Sequence, residues 1–142
     1  MLVKDLMRRT VVTVDRMTGI IDVTKMMNKE RISSVIVLDS NAPVGIITKR
    51  DLLKKCLEIC ANPCDLVADE ILTAPLISTT PDKTVTEALT LILERGISTL
   101  PVIEGKKLIG IITANDIIMG LQKEQIPGKK ASVGELEVER QR

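Results

Sequence analysis

Apolar runs of strand length alternate with helically spaced apolar residues along this chain, and the same order occurs in both halves. Runs rich in Val and Ile predict strands, and apolar residues three or four positions apart predict amphipathic helices. Each half therefore predicts a strand, a helix, two strands and a closing helix, which is an α/β arrangement. In the first half these elements are residues 11–14, 20–31, 34–38, 44–47 and 48–62. In the second half they are residues 76–78, 84–95, 100–103, 108–112 and 113–123, and short helices at 3–7 and 67–72 precede the two halves.

A seven-residue phrase indicates that the two halves are copies of one unit. Gly45-Ile-Ile-Thr-Lys-Arg-Asp51 recurs 65 positions later as Gly110-Ile-Ile-Thr-Ala-Asn-Asp116, with five of the seven residues identical. The register continues without a gap, so that Ile32-Ser33 corresponds to Ile97-Ser98. A unit of about 56 residues buries too little surface to be comfortably stable alone. We therefore expect two repeats that share a core and are related by pseudo-twofold symmetry.

The chain divides into two repeats, a linker and a tail. The predicted bounds are 1–61 for the first repeat, 62–66 for the linker, 67–122 for the second repeat and 123–142 for the tail. The tail is rich in charged residues, which predicts a mobile segment. The alternative is a helix that forms against a partner.

The composition removes several classes of function from consideration. The chain has no His, Trp, Tyr or Phe, and its net charge is +1. It therefore lacks the commonest general base and metal ligand, any aromatic ring to stack on a nucleobase, and a general field for a polyanion. Catalysis is not expected. No apolar run reaches the length of a membrane span, and no signal peptide is recognisable, which predicts a cytoplasmic location with no membrane partner.

The repeated phrase has the chemistry to hold a nucleotide. A glycine at Gly45 lets the strand lie close to another group. Thr48 stands where a helix begins, and free backbone N–H groups and the helix dipole favour an anion there. The two carboxylate oxygens of Asp51 can accept hydrogen bonds from both hydroxyls of a ribose. The second copy supplies Gly110, Thr113 and Asp116 in the same places.

The same residues have a purely structural interpretation. Thr-x-x-Asp is also a capping box, which only starts a helix. The chain contains the equivalent pattern Thr84-x-x-Glu87, where we expect no ligand. Both interpretations stay open on the motif alone.

In its order of motifs, the unit resembles the cystathionine β-synthase (CBS) domain. Val3-Lys-Asp-Leu-Met7 stands at its start and Gly-Ile-Ile-Thr-x-x-Asp at its end, and the resemblance covers residues 1–121. Two such units in tandem resemble a Bateman module. The resemblance implies repeats packed through their sheets, with clefts that bind adenosine nucleotides or S-adenosylmethionine. It also implies a homodimer that regulates an attached or partnering protein, with no catalysis of its own.

The resemblance extends the candidate site beyond the phrase and predicts two unequal sites. Lys49 and Arg50 are placed to neutralise phosphate in the first copy, where the second copy has Ala114 and Asn115. Many relatives have His or Arg just before the middle strand, where this chain has hydroxyl residues, and we therefore expect AMP in preference to ADP or ATP. The family pattern also suggests aliphatic walls for adenine at the starts of the first strands. The candidate ligand-binding residues are Thr48, Lys49, Arg50, Asp51, Thr113, Asn115, Asp116, Val11, Thr13, Ile77, Ser78, Ser33, Ser34, Ser98 and Thr99.

Three cysteines, Cys56, Cys60 and Cys64, follow a four-residue spacing. Three sulfurs without a histidine do not complete a tetrahedral zinc site in one chain, so no metal site is predicted. We expect small packing residues, with Cys56 and Cys60 on one helix face. The alternatives are a redox-sensitive pair or a metal shared across a dimer.

The sequence therefore predicts a non-catalytic sensor of an adenosine-containing ligand. One alternative is a structural interaction scaffold in which both aspartates only cap helices. Another is nucleic-acid binding, which would use basic residues of the first closing helix and the tail. Those residues are Lys49, Arg50, Lys54, Lys55, Lys129 and Lys130.

Overall fold

A computed structural model describes residues 1–125 of the chain. It confirms an α/β fold with two repeats, each built from helices and strands. The helices are α1 (Val3–Leu6), α2 (Ile20–Glu30), α3 (Lys49–Leu52), α4 (Ala68–Ile71), α5 (Val85–Arg95) and α6 (Ala114–Gln125). The strands are β1 (Thr13–Asp15), β2 (Ser34–Asp39), β3 (Ala42–Thr48), β4 (Thr99–Glu104) and β5 (Lys107–Thr113). No helix among residues 1–125 is long and apolar enough to cross a bilayer.

Each repeat builds its sheet on one antiparallel hairpin. β2 pairs with β3, and β4 pairs with β5, in the same register: Ser34 lies opposite Thr48, and Thr99 lies opposite Thr113. Both hairpins carry a register shift at the same place, after Val37 in one and after Val102 in the other. The internal sequence repeat is therefore also a structural repeat.

The predicted strand at 76–78 is wrong. In the first repeat, β1 runs parallel to β2, and the Ile36 N–H donates to the Val12 carbonyl at 3.2 Å. The position equivalent to Ile36 is Pro101, which has no N–H to donate. Pairing survives only at Thr79, whose N–H donates to the Pro101 carbonyl at 3.0 Å and whose carbonyl accepts from Ile103 at 2.9 Å.

The short helices α1 and α4, which we term the leading helices, are exchanged between the repeats. Val3 on α1 is fully buried in the core of the second repeat, and its N–H donates to the Lys83 carbonyl at 2.8 Å. Ala68 on α4 lies in the core of the first repeat, and its N–H donates to the Thr18 carbonyl at 2.8 Å. Neither core is complete without a segment of the other repeat.

Two aliphatic clusters form the core. Without aromatic residues, both are filled by branched aliphatic side chains, together with methionine and alanine. The first contains Val14, Ile20, Val23, Met27, Val35, Val37, Ile47, Ala68 and Ile71. The second contains Val3, Val85, Ala88, Ile92, Leu100, Val102, Ile112 and Ile117.

The segment between the repeats differs from the predicted helix. α3 continues as a π-helical turn at Leu53–Leu57, and a separate 3-10 turn follows at Pro63–Asp65. Cys60 has a φ of 55° and lies outside the helix, so it cannot share a helix face with Cys56. Cys56 is buried, as expected of a packing residue, whereas Cys60 and Cys64 are exposed. Among the described residues, no cluster of three metal-ligating side chains is formed.

α6 reaches Gln125, past the predicted start of the tail at residue 123. The prediction for the remaining tail, including Lys129 and Lys130, lies outside the described residues.

Candidate functional site

A cleft of about 490 Å³ opens between the two repeats at the end of the first hairpin. This volume lies within the range of small-molecule sites, roughly 300–1,000 Å³. The first repeat contributes the turn from β3 into α3, and the second contributes the segment after α4 and the turn from α5 into β4. The lining residues are Ser33, Ile46, Thr48, Lys49, Arg50, Asp51, Thr73, Pro75, Ile77, Arg95, Gly96, Ile97, Ser98 and Thr99.

The turn from β3 into α3 is fixed by a reciprocal capping box. The Thr48 N–H donates to Asp51 Oδ2 at 2.9 Å, and the Asp51 N–H donates to Thr48 Oγ1 at 3.3 Å. The Thr48 hydroxyl also lies 3.1 Å from Asp51 Oδ2. The cap therefore holds the Asp51 carboxylate at the cleft, with Oδ1 directed away from the cap.

The second repeat supplies a partner for that other oxygen. The Thr73 hydroxyl donates to Asp51 Oδ1 at 2.7 Å, and the Lys55 ammonium lies 3.3 Å from the same atom. Lys55 is also bound to the carbonyl oxygens of Ile71 and Leu72 at the end of α4, and it does not line the cleft. Asp51 is only 7% exposed. Asp51 is thus a buried carboxylate that is hydrogen-bonded to both repeats. A residue that only caps a helix needs neither the burial nor the bond to the other repeat.

Gly45 has the close approach predicted for it, but the neighbouring group is protein. A Cβ at Gly45 would lie 2.9 Å from the Thr73 carbonyl oxygen and 2.8 Å from Leu72 Cδ1. A Cβ at Gly110 would lie 2.8 Å from the Arg8 carbonyl oxygen. The glycines therefore let the segment after each leading helix cross the strand of the opposite repeat.

Positive charge and hydroxyl groups share the cleft. Lys49 and Arg50 lie in the first turn of α3, and Arg95 stands at the end of α5. On the opposite wall, the Ser98 and Thr99 hydroxyl oxygens are 3.4 Å apart. The cleft can therefore offer cations to phosphate and neutral hydrogen-bonding groups to a sugar or base.

The second copy of the phrase forms the same cap with a different partner. The Thr113 N–H donates to Asp116 Oδ2 at 2.9 Å, and the Asp116 N–H donates to Thr113 Oγ1 at 3.0 Å. Arg8, which is equivalent to Thr73, places Nε 3.1 Å and Nη2 3.0 Å from Asp116 Oδ1. The first predicted site thus contains a threonine hydroxyl where the second contains a guanidinium.

The structure brings about half of the predicted residues into the Asp51 cleft. Those residues are Thr48, Lys49, Arg50, Asp51, Ile77, Ser33, Ser98 and Thr99. The others lie outside its lining: Val11, Thr13, Thr113, Asn115, Asp116, Ser34 and Ser78. Ser78 instead lines a separate, more open groove along α5.

Six residues that line the cleft are missing from the predicted set: Ile46, Thr73, Pro75, Arg95, Gly96 and Ile97. Thr73 and Pro75 follow α4, and Arg95 ends α5. The 65-residue offset relates Thr73 to Arg8, and this equivalence could have indicated that both residues lie near a capping aspartate. Arg95 has no such signal, because it has the pattern of an ordinary basic residue in the last turn of a helix.

The pattern at Thr84 and Glu87 shows what a capping box does away from this cleft. The Thr84 N–H donates to Glu87 Oε2 at 2.9 Å and lowers the pKa of the Glu87 carboxyl. Glu87 is exposed and has no partner from the other repeat among the described residues. Burial and a cross-repeat donor therefore distinguish Asp51 from a residue that only caps a helix.

Two repeats with exchanged leading helices and a cleft between them define a tandem α/β module. A family model of the CBS domain matches this chain twice, at residues 3–58 and 67–123. The chain therefore belongs to the CBS domain family, as a tandem pair.

Relatives and solved structures agree with this assignment. Uncharacterized protein MK0525 of Methanopyrus kandleri is 35% identical over 118 residues, which is 82% of this chain and 60% of that protein. The CBS domain pair of protein MJ0100, in complex with 5′-methylthioadenosine and S-adenosyl-L-methionine, is 26% identical with a TM-score of 0.77 and matches 85% of this chain and 99% of that one. The hexameric CBS-CP12 protein from bloom-forming cyanobacteria is 26% identical with a TM-score of 0.79 and matches 99% of this chain and 84% of that one.

Proposed function

We propose that this CBS pair binds an adenosine-containing ligand in the Asp51 cleft and, without catalysis, transmits its presence to a partner protein. The observation that supports the proposal most is the buried Asp51 carboxylate, held by both repeats at the cleft. Its oxygens are suited to the two hydroxyls of a ribose. The MJ0100 domain pair, of the same fold, was solved with two adenosyl compounds.

The position of the charges suggests where a phosphate would lie. Lys49 and Arg50 stand in the first turn of α3, next to Thr48, and their positively charged side chains can pair with a phosphate. We favour AMP, because Ser98 and Thr99 on the opposite wall carry uncharged hydroxyls. Arg95 adds a third cation on that same wall, and ADP and ATP therefore belong in the same test.

A ligand in this cleft would act on the packing of the repeats. One wall belongs to α3 in the first repeat and the other to the turn between α5 and β4 in the second, so a bound ligand would contact both repeats at once. The ligand can shift the equilibrium between two packing arrangements only by the difference in its binding free energy for them. The regulated partner and a cytoplasmic location stay predictions.

Calorimetric titration of AMP, ADP, ATP and S-adenosylmethionine into the full chain tests the proposal. We expect Asp51→Asn to weaken binding by about tenfold or more, because a charge-assisted hydrogen bond to the sugar is lost. The matched control is Glu87→Gln, which makes the same change in a capping box away from the cleft. That variant should bind as the wild type does.

The competing scaffold hypothesis makes the opposite prediction. If folded protein shown to be free of carried-over nucleotide gives no heat with any of the four ligands, the Asp51 cap is structural only. Equal binding by Asp51→Asn and the wild type would place the ligand elsewhere.

A further inference from the structure

Arg8 and Thr73 occupy equivalent places, and the backbone holds both in the same way. Arg8 exchanges two hydrogen bonds with Ile111, at 2.8 and 2.9 Å, and Thr73 exchanges two with Ile46, at 2.8 and 3.1 Å. Each residue thus lies beside the strand that leads to the capping aspartate of the opposite repeat. The side chain at this position therefore determines which donor is hydrogen-bonded to Oδ1 of that aspartate.

The two side chains leave their aspartates in different states. Thr73 offers one short hydroxyl to Asp51 and lines an open cleft. Arg8 contacts Asp116 Oδ1 through two guanidinium nitrogens, at 3.1 and 3.0 Å, and Asp116 is mostly buried beneath it. Asp51 Oδ1 is also paired with Lys55 at 3.3 Å, but Lys55 lies outside the lining of the cleft. A ribose hydroxyl can therefore replace the Thr73 hydroxyl one for one while Lys55 stays in place, whereas at Asp116 it must displace both nitrogens of the guanidinium that covers the carboxylate.

Charges near the two aspartates differ in the same direction. The Asp51 cleft has Lys49, Arg50 and Arg95. The equivalent positions, 65 residues away, are Ala114, Asn115 and Glu30. An anionic ligand would therefore meet three cations in the Asp51 cleft, whereas near Asp116 the three equivalent positions carry none and the Arg8 guanidinium is already paired with the aspartate.

We propose that Arg8 occupies, from within the chain, the place beside Asp116 that a ligand would take, and that the residue at position 8 or 73 determines which aspartate accepts a ligand. The class of ligand is taken from the proposed function, and on this point alone the inference rests on it. It assigns one ligand to each chain, at Asp51, and gives Arg8 the role of an internal substitute for ligand beside Asp116.

Reciprocal exchange of the two residues tests this proposal. Adenosine and AMP are titrated by calorimetry into the wild type, Arg8→Thr, Thr73→Arg and the double exchange. We expect one site in the wild type and a second adenosine site in Arg8→Thr, which disappears again when Asp116→Asn is added. Thr73→Arg should weaken the original site by about tenfold or more, since its guanidinium would cover Asp51. In the double exchange, adenosine binding should depend on Asp116 and not on Asp51.

Arg9→Thr is the matched control, because it removes the same charge from the neighbouring exposed residue. It should leave the number of sites unchanged, and circular dichroism of every variant confirms folding. The proposal is overturned if the wild type already binds two ligands, or if folded Arg8→Thr gains no site. A wild type that binds neither probe contradicts the proposed function, while a site gained by Arg8→Thr would still support the role of Arg8.

Discussion

At the scale of single residues, the repeated phrase packs the two repeats together and also builds one wall of the Asp51 cleft. Gly45 and Gly110 admit the backbone of the opposite repeat, and the threonines and aspartates cap helices. The same cap holds Asp51 at the cleft. A motif that looks like a binding signature in the sequence is therefore also required for the fold.

Gly45→Ala should destabilise the protein through steric overlap. The new Cβ would meet the Thr73 carbonyl oxygen at 2.9 Å, and a backbone atom cannot move away as a side-chain end can. We expect the free energy of unfolding to fall by about 1–3 kcal/mol in urea denaturation. Gly19→Ala is the control, since its nearest group is Asp22 Oδ2 at 3.8 Å and a cost under about 1 kcal/mol is expected. Equal stability of Gly45→Ala and the wild type would contradict the close packing.

At the scale of elements, charge helps to specify the exchange of the leading helices. On α1, Lys4 pairs with Asp82 at 3.3 Å, whereas on α4, Asp69 pairs with Arg16 at 2.7 Å. Hydrogen bonds from Arg16 to Asp69 and Asp39 raise the pKa of that guanidinium. The positions equivalent to Asp82 and Arg16 are Met17 and Pro81, so a leading helix docked on its own repeat would lose its ion pair. The arrangement disfavours the wrong docking.

The exchange predicts that each leading helix stabilises the repeat to which it does not belong in sequence. Ile71→Ala should lower the free energy of unfolding by about 2–5 kcal/mol, because Ile71 is fully buried. Hydrogen exchange should show the greatest loss of protection at Val35 and Val37 in the first repeat. Val3→Ala should have the mirrored effect at Leu100 and Val102. Loss confined to the second repeat in Ile71→Ala would contradict the exchange.

At the scale of the whole molecule, one pair of exposed apolar residues follows the repeat. Leu53 is 57% exposed, and Ile118, 65 positions later, is 51% exposed. A surface with internal twofold symmetry suits an isologous contact with a second copy. We propose a homodimer through a surface that contains Leu53 and Ile118.

Light scattering of the wild type and of a Leu53→Glu, Ile118→Glu double variant tests the dimer. The wild type should have the mass of two chains at micromolar concentration and the double variant that of one, because a buried interface disfavours unpaired carboxylates. Met17→Glu is the control: Met17 is 71% exposed, and its equivalent in the second repeat is already Asp82. A monomeric wild type, or a dimeric double variant, would contradict this interface.

The sequence by itself determined the repeat, the α/β order of elements and the two capping aspartates. These are local or periodic properties: apolar spacing sets helices and strands, and an offset of 65 residues relates the halves. The strand predicted at 76–78 was wrong. Pro101 on β4 has no N–H to donate to that segment, and the consequence is visible only once the segment is seen to lie beside β4. Only the tertiary structure shows that α1 and α4 each pack on the opposite repeat, and that Thr73 and Arg95 line the cleft. It also decided that Arg8 lies on Asp116, because such contacts depend on how distant segments pack and not on the pattern within either segment.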